Sequence, residues 1–425
     1  MHRNAASAGA PGFRPPVGGR ASLRASNLSR VLTQLRALGP RSRTQLAEDL
    51  DLPKATVSAL VSELAARELV REGKVNRAGG VGRPQQAVEL HGAHLAGLGI
   101  EVSAGYVRAI AVNVRGDVLT HRHRTIESPD RALDSIAGLA REAMGAVRAN
   151  GVDVVGITVA SPGEIDPATG VVTFAANLGW TRLPLVKELT DRLGRAAPPL
   201  GLGNDAKLGA VAEYGLVAGH GIRDLLYITG DTGIGAGIIA GGRPVTGSTG
   251  NAGEVGHMPL APGGELCACG RRGCWETMVG LTALMRHASD PGDPVRDPRR
   301  DLEDRLTEIR ARALAGEPRT RAALDRIGAD LGLGVGLLID VLNPQVVVLG
   351  GYFSILGDLV IGTAARVIGD QVMSPEAGRC ELRISTLGFT SAARGAAQTV
   401  IDEVFADPGA APLRDQPRPL PAVRR

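Results

Sequence analysis

Four cysteines in 425 residues cannot staple a chain of this size, so a disulfide framework is excluded as its organising principle. Aromatic residues make up only 3%, which leaves the core to alanine and the small aliphatics. No run of about 18 apolar residues occurs, so no membrane-spanning helix is expected. The opening stretch MHRNAASAGAPGFRPPVGGR carries basic residues but lacks the apolar segment of a secretory signal, and a cytoplasmic location is the expectation. What is present is a globular composition, 44% hydrophobic, long enough for two or three domains.

Three of the scarce cysteines, Cys267, Cys269 and Cys274, fall together in CACGRRGCWE. In a reducing compartment such a cluster reads as a metal site before it reads as a disulfide. His257 stands ten residues before Cys267. One histidine and three thiolates are a full tetrahedral set for Zn²⁺, with no position open to water, so one structural zinc is expected. Gly270 and Gly273 give the loop the backbone freedom to wrap the ion.

Charge is unevenly spread. Residues 1–90 carry 14 Lys and Arg against 7 Asp and Glu, whereas residues 91–405 carry 30 against 35. A basic head on a mildly acidic body points to an anionic partner for the head, nucleic acid first.

The head has helical periodicity. Leu28, Val31, Leu32 and Leu35 form one apolar face, and Ser42 is placed to cap a short helix carrying Leu46, Ala47 and Leu50. A third helix, about 55–67, buries Val57, Leu60, Val61 and Leu64 at i, i+3, i+4, i+7. Two short strands around a Gly-rich turn follow, within ELVREGKVNRAGGVGRPQQAVEL. Three helices and a β-ribbon are the layout of a winged helix-turn-helix. Lys54, Thr56, Ser58 and Ser62 on the third helix, with Arg77 and Arg83 in the wing, are the candidate DNA contacts: small polar side chains allow close approach to base edges, and arginines beside glycines suit a minor groove.

From His94 the pattern turns α/β, with strands at HLAGLGIEV, YVRAIAVNV, VDVVGITVA, DLLYITG and PQVVVLGG alternating with helices at about 131–149, 206–218 and 320–342. No short fixed-period repeat is found. The domains expected are a disordered arm (1–20), the winged helix (21–91), a two-lobed body (92–405) and a disordered tail (406–425). Lobe 1 of the body spans about 92–204 plus a terminal helix at 391–405, and lobe 2 about 205–390.

The run H-x9-C-x-C-G-x2-G-C-x-E, led by EVGH, resembles the signature of the ROK family of repressors, open reading frames and sugar kinases. SPGEID (161–166), NLGW (177–180), ND (204–205), TGIGAG (232–237) and LGG (349–351) agree with it in order. The likeness covers roughly residues 26–402 and includes the winged helix of the repressor branch. It implies an α/β fold of two actin/hexokinase (ribonuclease H)-like lobes with a cleft between them. It also implies sugar contacts at Asn177, Asn204, Asp205, Glu254, His257 and Glu276. Asp205 matches the catalytic base of the family's kinases, although it is equally placed to cap the helix beginning at Ala206.

The kinases carry a D-x-G-G-T-K type turn for phosphate. Here the same place reads GIEVSAGY, with Ser103 and Ala104 for both glycines and Tyr106 for lysine, so loss of ATP binding is expected. The second loop, GDTGIGAG, is kept, but its glycines also suit a tight hairpin. The expected function is a sugar-responsive regulator, a repressor of carbohydrate genes, that binds a sugar or sugar phosphate. It is expected to act as a dimer or tetramer on a palindromic operator. A sugar kinase, or a DNA-binding protein without a ligand, are the alternatives.

Overall fold

The computed structural model describes residues 20–74, 86–126, 129–374 and 379–411. The head comprises α1 (Arg20–Leu38), β1 (Arg41–Ser42), α2 (Arg43–Leu50), α3 (Lys54–Ala66), β2 (Val70–Lys74) and β3 (Gln86–Leu90), with an antiparallel sheet in the order β1-β3-β2. Ser42 caps α2 in a reciprocal box with Gln45, each side chain holding the other's backbone N–H. Arg77, Arg83 and the wing tip lie outside the described residues, as do positions 1–19 and 412–425.

Lobe 1 is built on the five-stranded sheet β11-β7-β4-β5-β6. These strands are β4 (Leu95–Val102), β5 (Tyr106–Asn113), β6 (Val118–Thr125), β7 (Asp153–Ser161) and β11 (Leu200–Asn204). A small sheet of β8 (Glu164–Asp166), β9 (Val171–Ala175) and β10 (Trp180–Leu183) sits at its edge. Helix α4 (Ala132–Arg148) packs Ile136, Ala140 and Ala143 on the main sheet, and α5 (Leu185–Leu193) lies beside it.

Helix α6 (Asp205–Val217) leads into lobe 2, whose sheet runs β14-β13-β12-β15-β16. Its strands are β12 (Leu225–Gly230), β13 (Ile234–Ala240), β14 (Arg243–Pro244), β15 (Val346–Gly351) and β16 (Glu381–Ile384). The helices of this lobe are α7 (Glu276–Val279), α8 (Leu281–Ala288), α9 (Leu302–Leu314), α10 (Pro318–Leu342) and α11 (Phe353–Gln371). In both lobes three antiparallel strands are followed by two parallel ones in the same spatial order. The two lobes thus repeat one topology that no sequence period betrays.

The chain ends by returning to lobe 1 as α12 (Ser391–Ala406). Its alanines lie so close to β4 that a Cβ on Gly99 would stand 1.9 Å from the Ala393 carbonyl oxygen. Strands β4 and β5 are therefore buried on both faces, which accounts for their continuous apolar runs.

The head is not a separate bead. Val31, Leu32 and Leu35 of α1 share one apolar core with Ile110 and Val112 of β5 and with Ala397, Ile401 and Phe405 of α12. Arg36 pairs with Asp402, and its guanidinium lies 4.6 Å over the Phe405 ring. The expectation of a disordered tail from 406 needs correction. Residues 408–410 form a turn, Ala411 joins the head's core, and its carbonyl accepts a 2.6 Å hydrogen bond from Arg67. Pro408 and Ala411 are both buried there.

Candidate functional site

Between the lobes lies a cavity of about 380 Å³. Asn177, Asn204, Asp205, Glu254, His257 and Glu276 all line it. They come from five places: the turn after β9, the β11–α6 junction, the loop before the cysteines, the short 255–257 turn, and the first residue of α7. The capping role falls to Asn204, not Asp205. Asn204 Oδ1 accepts the Lys207 N–H at 3.1 Å and its amide donates to the Gly163 carbonyl at 3.2 Å. Helix α6 accordingly starts at Asp205, one residue earlier than expected, and Asp205 Oδ1 accepts the Ala206 N–H at 2.7 Å.

Glu164, Asp231 and Arg271 also line the cavity and were missed as contacts. Glu164 stands in SPGEID, a family landmark, and Asp231 in GDTGIGAG, the second loop, whose glycines rather than side chains drew the reading.

Five carboxylates thus face Arg271 and His257. Burial pushes Asp205 up to about 6, with Asp231 and Glu254 adding to the rise against the Ala206 N–H. Burial also raises Glu254 and Asp231, opposed at Glu254 by Lys207 and at Asp231 by the Ser103 hydroxyl. Lys207, beside Asp205 and Glu254, is lowered by burial and donates to the Gly250 carbonyl. Several adjacent donor-acceptor groups in a partly dry cleft can hold vicinal hydroxyls, and leaving one unpaired costs about 1–3 kcal/mol.

His257, Cys267, Cys269 and Cys274 bring their ligand atoms within 4.8 Å of one another. The Cys269 and Cys274 sulfurs are 3.7 Å apart, and Cys267 Sγ is 3.6 Å from His257 Nδ1. Zn–S bonds near 2.3 Å in a tetrahedron give edges of about 3.8 Å, so the four residues fit a zinc ion. Burial opposes the Cys269 thiolate, but the Arg271 side chain and N–H, with the Cys267 and Cys274 thiols, outweigh it and bring that thiol down to about 6. Glu276 touches this group as well as the cavity: the Cys267 thiol donates to its Oε1 at 2.7 Å. The loop and the cavity therefore share His257 and Glu276.

The retained glycines of TGIGAG have packing reasons. A Cβ on Gly233 would meet Glu276 Oε2 at 2.3 Å, and one on Gly237 would meet Ala210 of α6 at 2.4 Å. Gly237, where a Cβ would also stand 2.6 Å from the Ala206 carbonyl oxygen, needs glycine whether or not phosphate binds, whereas the Glu276 carboxylate can turn aside from Gly233. In the first loop Tyr106 does not line the 380 Å³ cavity. It is buried, and its hydroxyl donates to Glu101 Oε1 at 2.9 Å. It forms a wall of a second, larger cavity of about 810 Å³ that meets the first at Ser103, Ala104, Asp231 and Thr232.

On the head, α3 buries Val57, Leu60, Val61 and Leu64. Lys54 and Ser62 are exposed, Thr56 and Ser58 half-buried. The Ser62 hydroxyl donates back to the Ser58 carbonyl at 2.9 Å, and Arg43 donates to the same carbonyl. Arg43 also pairs with Glu72 of β2, locking α2 and α3 to the ribbon. No helix among the described residues is long and apolar enough to cross a membrane.

Comparison with known proteins places these features. A family model described as "ROK family" matches residues 97–403. The xylose repressor of Bacillus subtilis (strain 168) is 27% identical over 378 residues, covering 88% of this chain and 95% of the repressor. The glucokinase of Halalkalibacterium halodurans is 33% identical over 243 residues, covering 56% of this chain and 73% of the kinase. Among solved structures, a ROK family transcriptional regulator described as a homolog of the E. coli MLC protein has the same fold. Its TM-score is 0.73 at 24% identity, over 91% of this chain and 97% of that one.

Proposed function

The chain belongs to the ROK family, and we propose that it is a sugar-responsive, DNA-binding repressor of the cytoplasm. The observation that carries this reading is the head. A winged helix shares its core with lobe 1 and α12, and the likeness to a xylose repressor runs through head and body alike. The likeness to a glucokinase covers little more than half of the chain.

The ligand is a neutral sugar. Glu164, Asp205, Asp231, Glu254 and Glu276 face the cavity against one arginine and one histidine, and a phosphate dianion placed there would meet net repulsion. Zinc held by His257, Cys267, Cys269 and Cys274 serves as a structural clamp on the loop that presents Glu254, His257 and Glu276. Binding in the cleft biases the relative setting of the lobes and so of the heads on a palindromic operator, in a homodimer or tetramer. Such coupling is typically about 1–3 kcal/mol, or roughly 5- to 150-fold in DNA affinity.

The test is fluorescence anisotropy on genomic fragments selected by the purified protein, titrated with neutral pentoses and hexoses and with their phosphates. A neutral sugar should shift DNA affinity within that range. No effect from any sugar, with DNA binding intact, would leave a ligand-independent DNA-binding protein.

One observation favours a second reading, that of a sugar kinase. Asp205, at the bottom of the cavity, is held at about 6, which suits a general base near neutral pH. Sugar-dependent release of ADP from ATP at a kinase rate would establish it over the repressor reading.

A further inference from the structure

Two lobes that respond to a ligand need contacts that set their spacing when the ligand is absent. One short segment of lobe 1 makes several. Ser103, in the β4–β5 turn, donates from its hydroxyl to Asp231 Oδ2 of the β12–β13 turn at 2.7 Å, across the cleft. Five residues on, Arg108 of β5 is only 3% exposed. Its guanidinium donates to the Phe389 carbonyl and, at 3.2 Å, to Glu303 Oε1 in the first turn of α9. It also lies 5.8 Å over the Phe389 ring, and Phe389 belongs to the core of lobe 2. Tyr106 and Glu101 back the arginine from its own lobe, at 4.9 Å under its face and 3.8 Å from Nη1.

A buried guanidinium is costly unless paired. One of Arg108's partners, Glu303 of α9, belongs wholly to lobe 2, and the other, the Phe389 carbonyl, lies just before α12 at the return to lobe 1. Asp231 is shared: it accepts from Ser103 and also lines the sugar cavity. A ligand hydroxyl that donates to Asp231 Oδ2 competes with Ser103 for that oxygen.

We infer that Ser103 and Arg108, with Asp231, Glu303 and Phe389, form an inter-lobe clasp that fixes the ligand-free cleft and that a ligand loosens by taking Asp231. The last step rests on the sugar-sensor reading; the clasp itself does not.

The test is amide hydrogen exchange on the full-length protein without any ligand, comparing wild type with Ser103→Ala, Ser103→Thr and Glu303→Gln. Ser103→Ala and Glu303→Gln should each speed exchange of the amides around 103–106 and 387–390 by roughly three- to tenfold, the first by losing one hydrogen bond of ordinary net strength and the second by losing the charge that strengthens the Arg108 bond. Ser103→Thr, which keeps the hydroxyl, should restore protection. Unchanged protection in either of the first two variants overturns the joint clasp. Arg108→Gln is a weaker probe, since a buried position this tightly paired risks misfolding. If both variants loosen the cleft but no sugar binds the wild type, the clasp stands and the sugar reading falls. If a neutral sugar releases DNA while protection stays unchanged in both, the clasp falls and the sugar reading stands.

Discussion

Gly395 of α12 crosses Leu208 of α6 so closely that a Cβ on the glycine would stand 1.7 Å from the leucine's carbonyl oxygen. Helix α6 begins at Asn204 and Asp205 in the cavity. Helix α12 ends against α1 of the head through Arg36, Asp402 and Phe405. One helix crossing therefore links the cavity to the winged-helix head. A backbone atom cannot swing aside as a side chain can, so Gly395→Ala must push the helices apart. Overpacking of this kind costs about 1–3 kcal/mol. The expected result is that much loss of stability in urea titration, together with a weaker effect of sugar on DNA affinity. Wild-type stability would mean that the crossing is looser than its geometry.

Glu254→Ala tests the cavity itself. The Glu254 side chain lines it, while the residue's recorded hydrogen bond, from the His257 N–H, is to its backbone carbonyl and survives in alanine; Glu254 also lies far in sequence from the head. Sugar affinity should fall by roughly tenfold or more, since a carboxylate accepting hydroxyls contributes about 1.5–3 kcal/mol. DNA affinity without sugar should stay within twofold. Calorimetry on the sugar and anisotropy on the DNA separate the two, and a normal sugar response in this variant would remove Glu254 from the site.

Cys269→Ser tests the metal loop. The substitution removes a donor from a four-member set, and the remaining three would hold zinc more weakly. Elemental analysis should fall from one zinc per chain toward zero. Sugar binding should weaken with it, because His257 and Glu276 belong to both the loop and the cavity. Full sugar affinity in metal-free protein would show that the loop is positioned without the ion.

Much of this was legible in advance where the cause is local. The capping box at Ser42 needs only Gln45 three residues on, and the i, i+3, i+4, i+7 spacing of α3 matches its buried face. The cluster of His257, Cys267, Cys269 and Cys274 lies within 18 residues, and each of the six cavity residues sits in a short motif. What stayed hidden depends on chain segments far apart. Ser103 and Asp231 are 128 positions apart, Arg108 and Phe389 are 281 apart, and nothing in either neighbourhood marks the pairing. The common core of head and lobe 1 was hidden for the same reason: α12 closes it from the far end of the chain. The glycines of TGIGAG, which also suit a tight hairpin, are silent in another way. A glycine retained for packing against Ala210 looks the same in sequence as one retained for phosphate.

Glu101 gives a pH signature. Its carboxyl is buried, and burial pushes it up from 4.5 to about 8, with Asp231 and Asp205 adding to the rise. Arg108 and the Tyr106 hydroxyl oppose that shift without cancelling it. Between these two values the folded protein holds a proton that the unfolded chain has released. Stability from this group is therefore fully present below about pH 4.5 and is lost as pH rises through 8, at up to about 1.4 kcal/mol per pH unit. Glu101→Gln keeps an acceptor for Tyr106 and removes the titration. The difference in unfolding free energy between wild type and Glu101→Gln should move in favour of the variant from pH 5 to pH 8. Parallel curves over that range would mean that Glu101 is ionised in the folded state, held so by Arg108 at 3.8 Å. The arginine's charge would then be neutralised from its own lobe, and Glu303→Gln should loosen the cleft less than Ser103→Ala does.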